Sequence, residues 1–368
     1  MALPQFVSRV EDCGQSKCFA WLSSNTIYWG SLFWGDCMDC IDIVIPWVDG
    51  GDLEWRENKK IYSGEEDYGD NEERFRDWDL LKYWFRGVEK FAPWVNRIHF
   101  ITCGHLPVWL NVNHPKLHVV NHRDYIPAEY LPTFSSHPIE LNMHRIEGLS
   151  EKFIYFNDDF YIIDKVSPDD FFLENTPRGT AGFSIPCQVS PEFGSTLLRD
   201  YEVINRNFKS REVIRRHFSK FLNFRYGLKR NIQTLLLLPY CTQFFPGFYN
   251  SHGPNAFLKS TFHEVWDKEE DLLRVSCSNK FRTPCDLNQY VFLWWQWCKG
   301  MVAPQDIRKM FTYLTVLTPD EEIVNTICTQ STPLIAINDT WCEDFEKKKA
   351  TLHSAFDAIL GEKSSFEL

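Results

Sequence analysis

The sequence predicts an α/β protein: a mostly parallel, Rossmann-like sheet with helices on both faces, plus a helical insert. Two observations predict it. Short runs of β-branched and aromatic residues alternate with segments of helical period, the pattern of strands joined by helical crossovers. Acids then follow two of those runs, at Asp49, Asp52, Asp158 and Asp159. In parallel sheets the carboxyl ends of the strands are where ligands gather.

Residues 1–40 have no clear period and are read as an extension of unassigned role; residues 41–368 are read as the main domain. The first strand is Ile41–Ile45, apolar at nearly every position as a buried parallel strand is. Pro46-Trp47-Val48-Asp49-Gly50-Gly51-Asp52 ends it in a turn, and the charged stretch 56–73 reads as a solvated loop. Helical spacing follows over 77–91, with Leu80, Leu81, Trp84, Phe85 and Val88 on one face. Ile98–Thr102 and Leu117–Val120 read as the next two strands, 138–149 as a helix, and Lys152–Phe156 as a fourth strand running into Asn157-Asp158-Asp159. Residues 191–250 are helical in pattern and form the expected insert or lid. Helices are also expected over 257–275 and 286–297, and a short apolar run precedes Ile337-Asn338-Asp339.

Composition narrows the function. With 368 residues, 44% of them hydrophobic, the chain can bury a large core. Its net charge of −11 argues against a nucleic-acid binder. There is no unbroken apolar run of about 18 residues and no basic start leading into an apolar core, so neither a membrane span nor a secretory signal is expected. A cytoplasmic protein is the expectation. Most of the 12 cysteines are scattered, as buried thiols are, but Cys13, Cys18, Cys37 and Cys40 form C-x4-C and C-x2-C pairs. Those four are either a structural zinc site or unrelated thiols.

Several residue groups could carry chemistry. Asn157-Asp158-Asp159 is a site for Mg²⁺ or Mn²⁺, which prefer carboxylates supplemented by substrate phosphates, or else one Asp caps the following turn. His252, in the loop Asn250-Ser251-His252-Gly253-Pro254, is a general base, a phosphate donor or an idle histidine. Arg282, before the helix expected at 286–297, is a bidentate phosphate donor or a surface ion pair. Arg74-Phe75-Arg76-Asp77 either reaches the strand ends or is a solvated first turn. Between Asn205 and Arg230 stand nine Lys or Arg and one acid, Glu212, with interleaved Phe and Tyr. That segment is a solvated face, a contact for anionic lipid, or a contact for a phosphate-bearing polymer. No P-loop, dinucleotide fingerprint, H-E-x-x-H or G-x-S-x-G motif is present.

Taken together, these blocks resemble the Stealth family of sugar-phosphate transferases. Residues 41–50 resemble its first conserved region. The second is similar to Arg74-Phe75-Arg76-Asp77, Ala92-Pro93-Trp94-Val95, 131–136, 144–150 and Phe153 to Asp159. The third resembles His252-Gly253-Pro254, Phe281-Arg282 and Asp286 to Gln289; the fourth, Ile337-Asn338-Asp339 and Lys363 to Glu367. The resemblance implies a nucleotide-sugar-transferase type of fold. It also implies transfer of a hexose-1-phosphate, for example N-acetylglucosamine-1-phosphate, from a UDP-sugar to a hydroxyl of a saccharide or glycolipid acceptor. The setting would be capsule or exopolysaccharide synthesis at the inner face of the membrane. It assigns catalysis to His252, Arg282 and Asp159, a divalent metal to Asp158 and Asp159, and substrate contacts to Asp49, Asp52, Arg74, Asp77, Asn157, Arg145 and Asn288. The rival expectations are an ordinary metal-dependent glycosyltransferase that releases a nucleoside diphosphate, and a non-catalytic sugar-binding protein.

Overall fold

The structure, a computed structural model, describes residues 11–13, 16–23, 26–31, 40–63, 76–185 and 191–368. Three short strands, β1 (Glu11–Cys13), β2 (Ser16–Ser23) and β3 (Thr26–Ser31), form an antiparallel sheet. The side chains of Cys13, Cys18 and Cys37, and all of Arg74, lie outside what is described, so the zinc expectation and the Arg74 expectation fall there.

The central sheet has five strands: β4 (Ile41–Pro46), β5 (Ile98–Thr102), β6 (Leu117–Asn121), β7 (Lys152–Tyr155) and β11 (Asn255–Leu258). Their order is β11-β7-β4-β5-β6. The neighbours among β7, β4, β5 and β6 run parallel, and β11 is antiparallel on the β7 edge. Alternate side chains of each strand feed two cores. Ile43, Ile45, Phe100 and Ile154 pack on one face, and Val44, Ile101, Phe153 and Tyr155 on the other. Both faces are therefore covered, which is why these strands read as continuous apolar runs rather than alternating ones.

On the first face lie α2 (Leu81–Phe91), α11 (Phe345–Leu360) and a second sheet of β8 (Phe160–Ile162), β13 (Phe311–Thr315) and β14 (Leu334–Asn338), ordered β13-β14-β8. Gly87 lets α2 meet β8 closely; a Cβ there would stand 2.4 Å from the Ile162 carbonyl oxygen. The second face is covered by α5 (Pro191–Asn207), α8 (Lys259–Ser278) and α9 (Tyr290–Cys298). Between α5 and β11 run α6 (Ser210–Phe221) and α7 (Gly227–Leu237), so 191–250 is helical in fact as in pattern.

Four sequence expectations are corrected. The charged stretch after Asp52 is not wholly loop: α1 spans Leu53–Ser63. Its charges encircle it, and only Trp55 and Lys59 are buried, so there was no apolar stripe to read. Asp77 to Leu80 precede α2 rather than belong to it, because Asp79 takes a left-handed backbone at φ 54°. The expected helix at 138–149 is the short α4 (Ser136–Leu141) followed by a 3₁₀ turn and loop. Phe257, placed in a helix by sequence, belongs to β11, where pairing with Phe153 decides its conformation.

Candidate active site

At Phe156 the chain leaves the central sheet, and by Phe160 it has entered the second one. The tight turn between them, closed by Phe160 N–H donating to the Asn157 carbonyl at 3.2 Å, carries Asn157, Asp158 and Asp159. Both sheets pin this turn: Phe156 N–H donates to Val44 O at 2.9 Å, and Ile337 N–H donates to Asp159 O at 3.0 Å. The turn lies in a cleft of about 760 Å³ that also takes in Trp47, Asp77, Trp78, Glu140, His252, Arg282 and Asp339. Residues separated by more than a hundred positions thus share one cavity.

Five carboxylates line this space, Asp77, Glu140, Asp158, Asp159 and Asp339, and no lysine or arginine ion pair among the described residues neutralises Asp158 or Asp159. Asp158 is open to the cleft but enclosed by protein on its other sides. That enclosure, and then the neighbouring Asp159, raise its carboxyl to about 7; Asp77 adds to the effect. Asp77 is itself raised, first by enclosure and then by Asp79. Asp159 Oδ2 is buried with no hydrogen bond, and His252 Nε2 stands 3.4 Å away. The His252 ring is held edge-on by Phe160 of β8 (5.1 Å between ring centroids) and Tyr313 of β13 (5.6 Å). Gly253 follows because a Cβ there would press on Phe311 at 3.2 Å.

Arg282 reaches the cleft through a clamped loop. Asp286, fully buried, accepts from Thr283 N–H (2.8 Å), Thr283 Oγ1 (2.7 Å) and Asn279 Nδ2 (2.7 Å), and pairs with His137 Nδ1 at 3.0 Å. Burial alone would raise the Asp286 carboxyl; the His137 and Thr283 contacts outweigh it and hold it below the ordinary range. Phe281 stacks on Phe134 at 5.3 Å, and Arg282 Nη2 donates to Ser136 Oγ at 2.9 Å. One guanidinium nitrogen is thereby fixed, and the side chain remains exposed.

The other expected residues divide. Asn157 and Asp77 line the cleft. Asp49 and Asp52 sit beside it, engaged locally: Asp49 Oδ1 accepts from Gly51 N–H at 2.8 Å, and Asp52 Oδ1 caps α1 through Trp55 N–H at 2.7 Å. Arg145 is not a lining residue; it stacks over Trp266 at 4.8 Å on the surface. Asn288 is not one either; it is buried, and its Oδ1 accepts from Tyr290 N–H at 2.9 Å at the start of α9.

Sequence reasoning missed Glu140 and did not identify the partner of Arg76. Glu140 is buried in the cleft wall and accepts from Tyr155 OH at 3.3 Å and Gln289 N–H at 3.2 Å. An acid inside the otherwise apolar run Pro138 to Leu141 was the available signal. Arg76, for which the sequence left open a reach to the strand ends or a solvated first turn, does reach one: it forms a fork with Asp339 beyond β14, Nε to Oδ2 at 2.8 Å and Nη2 to Oδ1 at 2.5 Å. Trp78 Nε1 donates to the same Oδ2 at 2.8 Å. No cluster of three His, Cys, Asp or Glu poised for a metal ion is present among the described residues. A hard cation here would therefore complete its shell with substrate oxygens and water, as Mg²⁺ commonly does.

Residues 41–67 match the model for Stealth protein conserved region 1, and residues 74–179 that for conserved region 2. A capsular polysaccharide phosphotransferase, WcwK of Streptococcus pneumoniae, is 41% identical over 336 residues, covering 90% of this chain and 98% of its own. The receptor polysaccharide phosphotransferase WefC of Streptococcus gordonii is 38% identical over 334 residues (89% and 99%). The exopolysaccharide phosphotransferase cps2G of Lactiplantibacillus plantarum is 36% identical over 332 (89% and 96%). Among solved structures the galactosyltransferase LgtC superposes with a TM-score of 0.38 at 13% identity, over 85% of this chain and 95% of its own. The chain is a transferase of phosphorus-containing groups, and it belongs to the Stealth family.

Proposed function

We propose that the protein transfers a hexose-1-phosphate, such as N-acetylglucosamine-1-phosphate, from a UDP-sugar to a sugar hydroxyl, forming a phosphodiester in a capsular or exopolysaccharide. The observation that carries this reading is the meeting of His252, Asp159, Asp158 and Arg282 in one cleft. A base, a carboxylate pair and a guanidinium are the groups a phosphoryl transfer requires.

The acceptor oxygen bonds to the sugar-bearing phosphorus while the bond from that phosphorus to the bridging oxygen breaks, and uridine monophosphate leaves with the bridging oxygen. His252 takes the hydroxyl proton, with Asp159 orienting its Nε2 side and stabilising the imidazolium that forms. Arg282 keeps donors free for the equatorial phosphate oxygens, because Ser136 holds only one of its nitrogens. Asp158 and Asp159 are suited to Mg²⁺ or Mn²⁺: one oxygen is orphaned, one carboxyl is raised, and no lysine or arginine among the described residues neutralises them. The cation would supply charge against the donor diphosphate. Glycolipid or saccharide acceptors and a cytoplasmic setting follow from this reading. Within it we treat 41–368 as one catalytic unit, 191–250 as its helical insert and 1–40 as an extension. No helix among the described residues is long and apolar enough to cross a membrane.

Incubation with a panel of UDP-sugars and a saccharide acceptor, read by mass spectrometry, tests the reaction type. Uridine monophosphate and a phosphate-bearing product are expected. Uridine diphosphate with a phosphate-free product would make this an ordinary glycosyltransferase.

A further inference from the structure

The outer side of the helical insert is unusual for a water-facing surface. On α7, Leu228, Ile232, Leu235 and Leu236 recur at helical spacing on one face, and Phe224 and Tyr240 extend the stripe at its two ends. Phe224 is 86% exposed, Leu228 78%, Leu236 68% and Tyr240 71%. Phe218 and Phe244 beside them are more than half exposed as well. The opposite side of α7 is ordinary core: Leu237 is buried, and buried Thr234 accepts from Phe183 N–H at 3.1 Å. The helix is therefore amphipathic the wrong way for a purely solvated face.

Charge borders this stripe. Arg211, Arg215, Arg216, Arg225 and Lys229 are all exposed, and no carboxylate pairs with any of them among the described residues. From Asn205 to Tyr240 the one acid is Glu212, in a chain whose net charge is −11. Lys209, Arg211 and Arg215 also line a surface notch of about 540 Å³ with Glu212, Thr242 and Gln243, Glu212 pairing with Lys209 at 3.6 Å. Apolar side chains standing clear of the surface with a cationic border match the chemistry of an anionic bilayer, acyl chains beneath negatively charged headgroups. A hydrophilic anionic polymer would use the cations but leave Phe224, Leu228 and Leu236 in water.

We propose that the outer face of α7, with the cations of α6 and of the turn at 222–226, docks on an anionic lipid bilayer. The inner side of the same helix touches the catalytic loop. Arg230 stacks over Tyr249 at 3.4 Å, three residues before His252. A bilayer under α7 thus brings the cleft to a lipid-anchored acceptor. That last consequence rests on the transfer reading above; the docking itself does not.

Flotation of the full chain with vesicles, without substrates, tests it. Binding is expected to phosphatidylcholine vesicles containing phosphatidylglycerol, weakened by high salt, and not to phosphatidylcholine alone. Leu228→Asp with Leu236→Asp should lower binding about tenfold or more by removing the inserted chains. Arg215→Glu, Arg216→Glu and Lys229→Glu together should abolish it, each cation being worth about fivefold at such a surface. Both variants should keep the wild-type melting temperature and turnover of a water-soluble saccharide acceptor. Failure of the wild type to float, or equal flotation of both variants, overturns the proposal. So does an aspartate variant that splits a dimer in light scattering, or one that melts several degrees lower, since a second copy or the chain's own residues 1–39 would then cover the stripe. Absence of turnover in the wild type counts against the transfer reading instead.

Discussion

Glu367 lies one residue from the end of the chain, yet the structure makes it a support of the core beneath the site. Its two carboxylate oxygens meet the Arg86 fork at 2.7 and 2.8 Å, with side-chain exposures of 5% and 9%. Arg86 Nη1 donates in addition to Leu360 O at 2.9 Å. The neighbouring Phe366 is buried against Phe85, and its carbonyl accepts from Asn111 N–H at 2.8 Å. Replacing Glu367 by Gln keeps the size but leaves the buried guanidinium without its counter-charge. Asp357, 4.0 Å away and open to solvent, replaces little of it. Removing one partner of such a pair costs about 3–5 kcal/mol. At about 2 °C per kcal/mol for a chain this long, the melting temperature should fall about 6–10 °C. Burial alone would raise the Glu367 carboxyl, but the Arg86 fork and Ser364 N–H outweigh it and hold it below the ordinary value of 4.5. A depressed carboxyl contributes stability above 4.5 and loses it as pH falls through the folded value. The gap between wild type and Glu367→Gln should therefore be full at neutral pH and narrow in acid. Scanning calorimetry across pH reads both. A gap under about 1 kcal/mol at neutral pH, the size expected of a solvated surface pair, would refute the buried-pair argument.

Two further predictions concern the cleft. Arg282→Ala should lower kcat about 10²–10³-fold, by comparison with removal of an oxyanion donor, while leaving the melting temperature unchanged; Arg282→Lys should rescue poorly because an ammonium lacks the fork. A kcat within a few-fold of wild type would remove Arg282 from the mechanism. Because the Asp158 carboxyl sits near 7 rather than 3.8, Mn²⁺ affinity measured calorimetrically should weaken as pH falls below 7, and the metal-free protein should lose stability as pH rises between those values. Asp158→Asn should flatten both dependences; Mn²⁺ affinity that ignores pH in the wild type would place the cation elsewhere.

The parallel strands were legible in the sequence because each is buried on both faces, which leaves an uninterrupted apolar run in Ile41–Ile45, Ile98–Thr102 and Lys152–Phe156. The turn that carries Asp158 and Asp159 was legible for a related reason: acids directly after such a run must stand at a strand's carboxyl end. The His252 and Arg282 loops could be named from composition and family resemblance, but not placed relative to one another. Local pattern did not reveal α1, whose surface is charged all round, or β11, whose conformation is decided by pairing with β7 a hundred residues away. It also left hidden that the Asp158–Asp159 turn bridges two sheets, that Arg76 meets Asp339 and Arg86 meets Glu367, and that Glu140 enters the cleft. Periodicity reports only what each residue's immediate neighbours require. Ion pairs spanning 263 and 281 positions, and a carboxyl raised by enclosure, exist only after the chain has closed on itself, so the tertiary structure alone decided them.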